Sequence, residues 1–344
     1  MKCVLSENQA SHFPDTYVVH GRDDAYPESP ERIGVLLTGA LNAGLEEVEP
    51  NDYGLEAIAK VHTPEYLHFL KNAHKRWQRI PDAVPDVTPN IRPTNRDGTY
   101  PASVLAQAGY HMADGSVPIT ADTWECVKSS AHSAIHASEL VMAGEEMAYA
   151  LCRPPGHHAG PDLAGGFCYL NNSAIAAQHL RKQYGSVAIL DVDLHHGNGT
   201  QMVFYQRSDV LTVSLHADPV RFYPFFWGHA NERGEAAGLG YNLNLPLPRF
   251  SGNEEFLQAL DKALDRISGF APEALVIALG LDAYEGDPYA GLCITTEGYG
   301  LIASAIANRM TCPTVIVQEG GYLCDELGEN LTQFLTAIQT KDKE

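Results

Sequence analysis

The stretch VAILDVDLHHGNGTQ (187–201) carries two signals at once. Its opening run, Val187 to Leu190, is short and apolar, as a buried strand is. A polar cluster follows abruptly: Asp191, Asp193, His195 and His196, then Asn198 between Gly197 and Gly199. The same rhythm recurs in both directions along the chain. Apolar runs lie at 148–152, 187–190, 210–215, 275–279 and 314–317, with helical patterns at 173–183, 254–268 and 297–309. This alternation predicts an α/β fold, a parallel sheet flanked by helices on both faces. In such sheets ligands bind at the carboxyl ends of the strands.

The chain has 344 residues, 44% hydrophobic and 19% charged, with a net charge of −20. That balance excludes a disordered or fibrous protein. The negative charge opposes nucleic acid and anionic membranes as partners and favours cationic ligands. No run of about 18 apolar residues exists, so no membrane span is expected. The start MKCVLSENQA has no long apolar run, so no secretory signal is expected either. Seven scattered cysteines without a CxxC point to a reducing, cytoplasmic setting.

Residues 1–344 read as one domain. Ser29-Pro30-Glu31 predicts a capped helix ending at Gly44, and Thr63-Pro64-Glu65 predicts another. A last helix carries Leu327, Leu331, Phe334, Leu335 and Ile338, and the tail KDKE (341–344) is expected to fray. Residues 76–101 hold Pro81, Pro85, Pro89, Pro93 and Pro101 with little periodicity. Such a loop is either a mobile insertion or a lid or interface segment.

Each apolar run ends in reactive residues: His157-His158 after 148–152, Asp191 to Asn198 after 187–190, Ser214 to Asp218, Asp282, and Glu319 to Tyr322. At period two, Asp191, Asp193 and His195 share a face. Carboxylates and an imidazole in one place need a cation among them. The donor types suit Zn²⁺, Fe²⁺ or Mn²⁺, and Asp193, His195 and Asp282 would leave a coordination position open, as a catalytic site requires. His157 and His158 suit acid–base work, one oriented by Asp191 and the other by Asn198. Tyr322 beside paired glycines could stabilise an oxyanion. Together these features describe metal-assisted hydrolysis of an amide or ester. His12, His20, His62, His68, His74, His111, His132, His136, His179 and His229 sit in no comparable cluster and are expected at the surface.

At the same residues the chain resembles the histone-deacetylase superfamily of zinc amidohydrolases, which has the arginase–deacetylase fold. The matching strings are YPESPER (26–32), VHTPEYLHFL (61–70), RPPGHHAG (153–160), GGFCYLNN (165–172), DVDLHHGNGTQ (191–201), LGLDAYEGDP (279–288) and EGGY (319–322). Within it the chain looks most like the bacterial acetylpolyamine amidohydrolases. The resemblance implies that Asp193, His195 and Asp282 bind Zn²⁺, with Fe²⁺ as an alternative. It makes His158 the general base and acid, and His157 its partner linked to Asp191. Tyr322 would bond the scissile carbonyl, Gly166 would accept the substrate N–H through its carbonyl, and Phe167 and Tyr223 would wall a tunnel. It also implies a structural K⁺ at Asp191, Asp193, His195, Ser214 and Leu215, a second at Phe204, Arg207, Val210 and Tyr241, and a homodimer formed through the long loop.

The expected activity is hydrolysis of small acetylated amines such as N-acetylputrescine and N-acetylcadaverine. The alternatives are an acetyl-lysine protein deacetylase, a catalytically inactive sensor of the same fold, and an arginase-like two-metal enzyme. The reference polyamine enzymes have acids at the tunnel mouth where this chain has Tyr17 and Leu105. Asp15, Asp23, Glu28 and Asp97 are the candidates to replace them.

Overall fold

The computed structural model describes residues 1–340; the tail Lys341–Glu344 lies outside the described residues. In chain order the strands are β1 (Lys2–Val4), β2 (Thr16–Val19), β3 (Arg22–Ala25), β4 (Glu46–Val48), β5 (Met147–Ala150), β6 (Val187–Asp191), β7 (Val210–Ala217), β8 (Asn242–Leu247), β9 (Ala274–Leu279) and β10 (Thr314–Gln318). The helices are α1 (Glu31–Asn42), α2 (Pro64–Trp77), α3 (Val104–His111), α4 (Thr123–Met142), α5 (Asn172–Leu180), α6 (Asn198–Phe204), α7 (Asn253–Phe270), α8 (Thr296–Arg309) and α9 (Leu327–Ile338).

The sheet is parallel, in the order β4-β1-β5-β10-β9-β6-β7-β8, and β2 and β3 form a separate antiparallel hairpin. The five apolar runs of the sequence are its five neighbouring central strands, β5-β10-β9-β6-β7. The edges escaped sequence reading. β1 and β4 have three residues each, too few for periodicity. β8 reads as polar because it buries Asn242 and Asn244, which both donate to Gln201 Oε1 at 2.9 Å.

Side chains alternate between two cores, as period two requires. Leu190, Leu211, Leu275, Ile277 and Ile316 face α1, α7, α8 and α9. Val187, Ile189, Val276, Val315 and Val317 face α2, α3, α4 and α5. Helix α4 was missed in the sequence because it buries small and polar residues, Ser129, Ser130, Ser133 and Ser138 among them, on more than one side. The ladders run level: Ala150 pairs with Val317, Val317 with Ala278, Ala278 with Asp191, and Asp191 with Ser214. All five polar segments therefore leave the sheet along one edge.

Two sequence readings need correction here. Ser29 does not cap α1 through its side chain, because the helix enters from Pro30. The Ser29 carbonyl instead accepts from Arg153 Nε at 3.1 Å. Glu28 is not at any tunnel mouth. It is wholly buried, and its Oε1 accepts from Arg32 Nη1 at 2.6 Å and pairs with Arg153 Nε at 2.9 Å. Arg32 also donates to the carbonyls of Gly321 (2.5 Å) and Glu319 (2.9 Å), and Arg153 to those of Gln9 and His12. This knot ties residues 9–32 to the segments after β5 and β10.

Removing one partner from such a buried group strands the others. Glu28→Ala should cost about 3–5 kcal/mol of stability in urea denaturation. A cost below about 1 kcal/mol would mean that the carbonyls alone satisfy both guanidiniums.

Candidate active site

Strand β6 ends at Asp191, so strand alternation does not place the next ligands. Side-chain turns do. Asp191 Oδ1 accepts the Asp193 N–H at 3.1 Å, and Asp193 Oδ1 accepts the His195 N–H at 2.8 Å. Each carboxylate thus folds the backbone that carries the next donor. Asp282, just beyond β9, is fixed by the Leu194 N–H on its Oδ1 at 3.0 Å. Asp193, His195 and Asp282 each bring one ligand atom within 4.8 Å of the others, all three residues buried. Asp191 stands apart from this group and faces His157.

The donor set fits a divalent cation. Burial and the neighbouring Asp193 charge push the Asp282 carboxyl upward, and burial pushes up Asp191. Burial alone would lower His195, but hydrogen bonds to Asp193 and Asp282 raise it to about 9. A cation here relieves the carboxylate repulsion and takes the place of the imidazole proton. Two glycines keep the space open. A Cβ on Gly320 would lie 2.3 Å from Asp282 Oδ2 and 2.6 Å from Asp193 Oδ2, and one on Gly280 would lie 2.2 Å from Asp193 Oδ2.

The histidine pair stands beside the cluster, with ring centroids 4.0 Å apart. His157 Nδ1 bonds Asp191 Oδ2 at 2.9 Å, and its Nε2 lies 3.7 Å from Asp193 Oδ1. Burial disfavours its charged form, but Asp193 and Asp191 outweigh burial and hold it well above the ordinary range. His158 Nδ1 bonds Asn198 Oδ1 at 2.7 Å. Burial and the adjacent His157 and His195 hold His158 well below the ordinary range. Two neighbouring imidazoles are thereby pushed in opposite directions, His157 towards its charged form and His158 towards its neutral form.

Sequence reasoning missed Glu319 as the group that presents this pair. Its Oε2 accepts the N–H groups of Gly156 (2.6 Å) and His157 (2.9 Å), and its Oε1 accepts from Ser173 Oγ at 2.6 Å. Burial pushes this carboxyl up to about 7.

Gly166 and Phe167 both have left-handed backbone, with φ of 53° and 66°, an uncommon conformation for Phe. Phe167, Tyr26 and Tyr322 form a small buried aromatic cluster against which Tyr17 and Tyr289 pack. Tyr223 packs edge-on against His158, with ring centroids 4.8 Å apart. Asp114 joins these walls, its Oδ2 accepting from Tyr223 Oη at 2.7 Å and from the Gly166 N–H at 3.0 Å. It is half-buried, and nothing in its surroundings in the sequence distinguished it from a turn acid. Tyr17 packs on Phe167 at 5.7 Å, whereas Leu105 lies on α3 against the core. Asp15, Asp23 and Asp97 are exposed.

Asp191 and Ser214 are ladder partners and line a small polar cavity with Gln201, Asn242 and Asn244; Leu215 follows on β7. Ser214 Oγ already bonds His216 Nδ1 at 2.8 Å. Phe204, Arg207, Val210 and Tyr241 gather at the opposite, amino-terminal end of β7 and β8. There the Phe204 carbonyl accepts the Arg207 N–H at 2.9 Å and the Tyr241 carbonyl the Thr212 N–H at 3.0 Å. The long segment begins inside α2, since that helix runs to Trp77; from Gln78 to Ser103 no helix or multi-residue strand forms.

Several histidines expected at the surface are buried: His12, His62, His111, His132 and His179. Tertiary partners explain the difference. His12 bonds Thr123, His62 accepts the Asn171 N–H, and His111 stacks on Phe69 at 5.0 Å. Among the described residues no helix is long and apolar enough to cross a membrane.

A model of the histone deacetylase domain matches residues 26–338, and the chain belongs to that family. The acetylpolyamine amidohydrolase of Burkholderia pseudomallei is 47% identical over 338 residues, covering 97% of both chains. Acetylpolyamine amidohydrolase 1 of Pseudomonas aeruginosa is 44% identical over 98% of this chain and 99% of its own. The crystal structure of acetylpolyamine aminohydrolase from Burkholderia pseudomallei superposes with a TM-score of 0.96 at 46% identity, over 98% of each chain.

The crowding at Gly320 gives a direct test. Gly320→Ala should strip most of the bound divalent metal and lower activity about a hundredfold. Metal analysis after desalting reads the first effect, and full metal retention would mean that the carboxylates have room to shift.

Proposed function

We infer that this protein is a metal-dependent amidohydrolase that removes the acetyl group from acetylated polyamines, releasing acetate and a free amine. The observation that carries this reading is the buried Asp193–His195–Asp282 group beside a polarised histidine pair, in a chain 47% identical to an acetylpolyamine amidohydrolase along nearly its whole length. Asp193, His195 and Asp282 would hold the metal, which we assign as Zn²⁺, with Fe²⁺ suited to the same ligands. When bound, it supplies Lewis acidity and makes water more acidic.

The remaining chemistry belongs to the chain. Asn198 Oδ1 fixes the proton of His158 on Nδ1, which leaves Nε2 with a free lone pair. His158 takes the proton of the attacking water through that atom. Tyr322 donates its hydroxyl to the developing oxyanion. His157 stays charged against Asp191 and stabilises the negative transition state. The proton on His158 then passes to the departing amine. Phe167 and Tyr223 flank the methylene chain of the amine, and the Gly166 carbonyl accepts the amide N–H.

N-acetylputrescine and N-acetylcadaverine suit this frame. They are slender, and they carry a distal ammonium that the net charge of −20 favours. We further assign a structural K⁺ to Asp191, Asp193, His195, Ser214 and Leu215, and a second to Phe204, Arg207, Val210 and Tyr241. A homodimer through residues 76–101 fits the exposed Val84 and Ile91 on that segment. A cytoplasmic setting fits seven free cysteines.

The holoenzyme should show a higher kcat/KM on N-acetylputrescine than on an acetyl-lysine peptide, measured side by side. A preference for the peptide would overturn the polyamine assignment. The acid limb of kcat/KM should lie below pH 6.5. His158 acts as a neutral base and its pKa is lowered, so activity persists as pH falls past the ordinary histidine range and is lost only below it. A limb above that range would contradict His158 as the base.

A further inference from the structure

The turn that carries Tyr322 uses its backbone groups almost completely. Glu319 N–H donates to the Leu279 carbonyl at 2.8 Å, and Gly320 N–H to Asp193 Oδ2 at 2.8 Å. The carbonyls of Glu319 and Gly321 accept from Arg32, and that of Gly320 accepts from Gln318 Nε2 and from the Leu281 N–H. Gly321 has a φ of 111°, and a Cβ there would lie 2.7 Å from the Leu281 side chain, so the chain turns without slack. The next donor with a partner is the N–H of Tyr322 itself. It bonds Asp287 Oδ2 at 2.9 Å.

Asp287 lies outside the metal-ligand group and is almost wholly buried. Its other oxygen, Oδ1, accepts the N–H of Tyr289 at 2.8 Å, and its own carbonyl accepts the Ala290 N–H at 3.0 Å. One carboxylate therefore fixes two tyrosines that pack edge to face, with ring centroids 4.7 Å apart and planes 64° apart. The Tyr322 hydroxyl has no hydrogen-bond partner among the described residues. Its aim is set by that backbone bond, by the Tyr289 ring, and by Arg32 over its own ring at 5.2 Å.

We propose that Asp287 is the positioning residue for Tyr322: its carboxylate clamps the backbone N–H groups of Tyr322 and Tyr289 and so holds the phenol where the oxyanion forms. Asp287 touches neither substrate nor metal, and acts through Tyr322. A donor displaced by a fraction of an ångström still permits binding but serves the transition state poorly, so the effect falls on kcat. This inference rests on the role given above to Tyr322.

The test is a double-mutant cycle on the holoenzyme with N-acetylputrescine, with metal content and Tm measured for every variant. Tyr322→Phe alone should lower kcat by about a hundredfold or more. Asp287→Ala should lower kcat by about tenfold or more with KM changed less than about threefold. Combined with Tyr322→Phe, the same substitution should cost less than about twofold, because the group it positions is gone. Asp287→Asn is isosteric and keeps one acceptor, so it should give a smaller loss with the same dependence on Tyr322, and it carries the test if the alanine variant does not fold. An equal loss in both backgrounds would overturn the proposal and make Asp287 a general structural group. An unchanged kcat in Tyr322→Phe would overturn the role of Tyr322, and this proposal with it.

Discussion

Three buried carboxylates, Asp191, Asp193 and Asp282, converge where β6 and β9 end, and their mutual repulsion governs everything around them. Burying like charges together costs several kcal/mol unless positive charge is brought to them. The chain brings some of it: His157 lies against Asp191 and near Asp193, and His195 between Asp193 and Asp282. The same group could hold a divalent cation, which would complete the balance. The charge on His157 that this arrangement stabilises is also what depresses His158, so the electrostatics that hold the metal ligands also tune the base.

Around this centre the same device recurs. A buried carboxylate accepts backbone N–H groups and thereby fixes the position of a functional side chain. Asp191 sets Asp193, Asp193 sets His195, Glu319 sets His157, and Asp287 sets Tyr322. Backbone donors suit this task because they are rigid, and their hydrogen bonds offset part of the cost of burying each carboxyl. The glycines complement them by removing Cβ atoms where carboxylates crowd the turn. Farther out, Glu28, Arg32 and Arg153 lock the turns of β5 and β10 to the amino-terminal segment. The site is thus built largely on turns that leave strand ends held level by the sheet.

Much of this was legible in the sequence for a physical reason. The central strands are bounded by abrupt changes from apolar to polar residues, and the reactive side chains sit at those changes. The Asp193–His195–Asp282 group and the histidine pair, which the structure brings together, could therefore be singled out from pattern alone. What stayed hidden is also instructive. The edge strands are too short or too polar to show a period, and α4 hides its buried faces behind serine and histidine. Asp287, Glu319 and Asp114 each resemble an ordinary turn acid, because their partners are backbone N–H groups or residues far away in the chain. Glu28 was misplaced to a surface for the same reason, since its two arginines lie 4 and 125 positions away.

The most direct measurement is a titration of Zn²⁺ into chelator-stripped protein, followed by deacetylation of N-acetylputrescine. Activity should rise from nothing and level off at one equivalent per chain, as one Asp193–His195–Asp282 group requires. A plateau at two equivalents, or activity that survives complete removal of metal, would contradict a single cation held by that group.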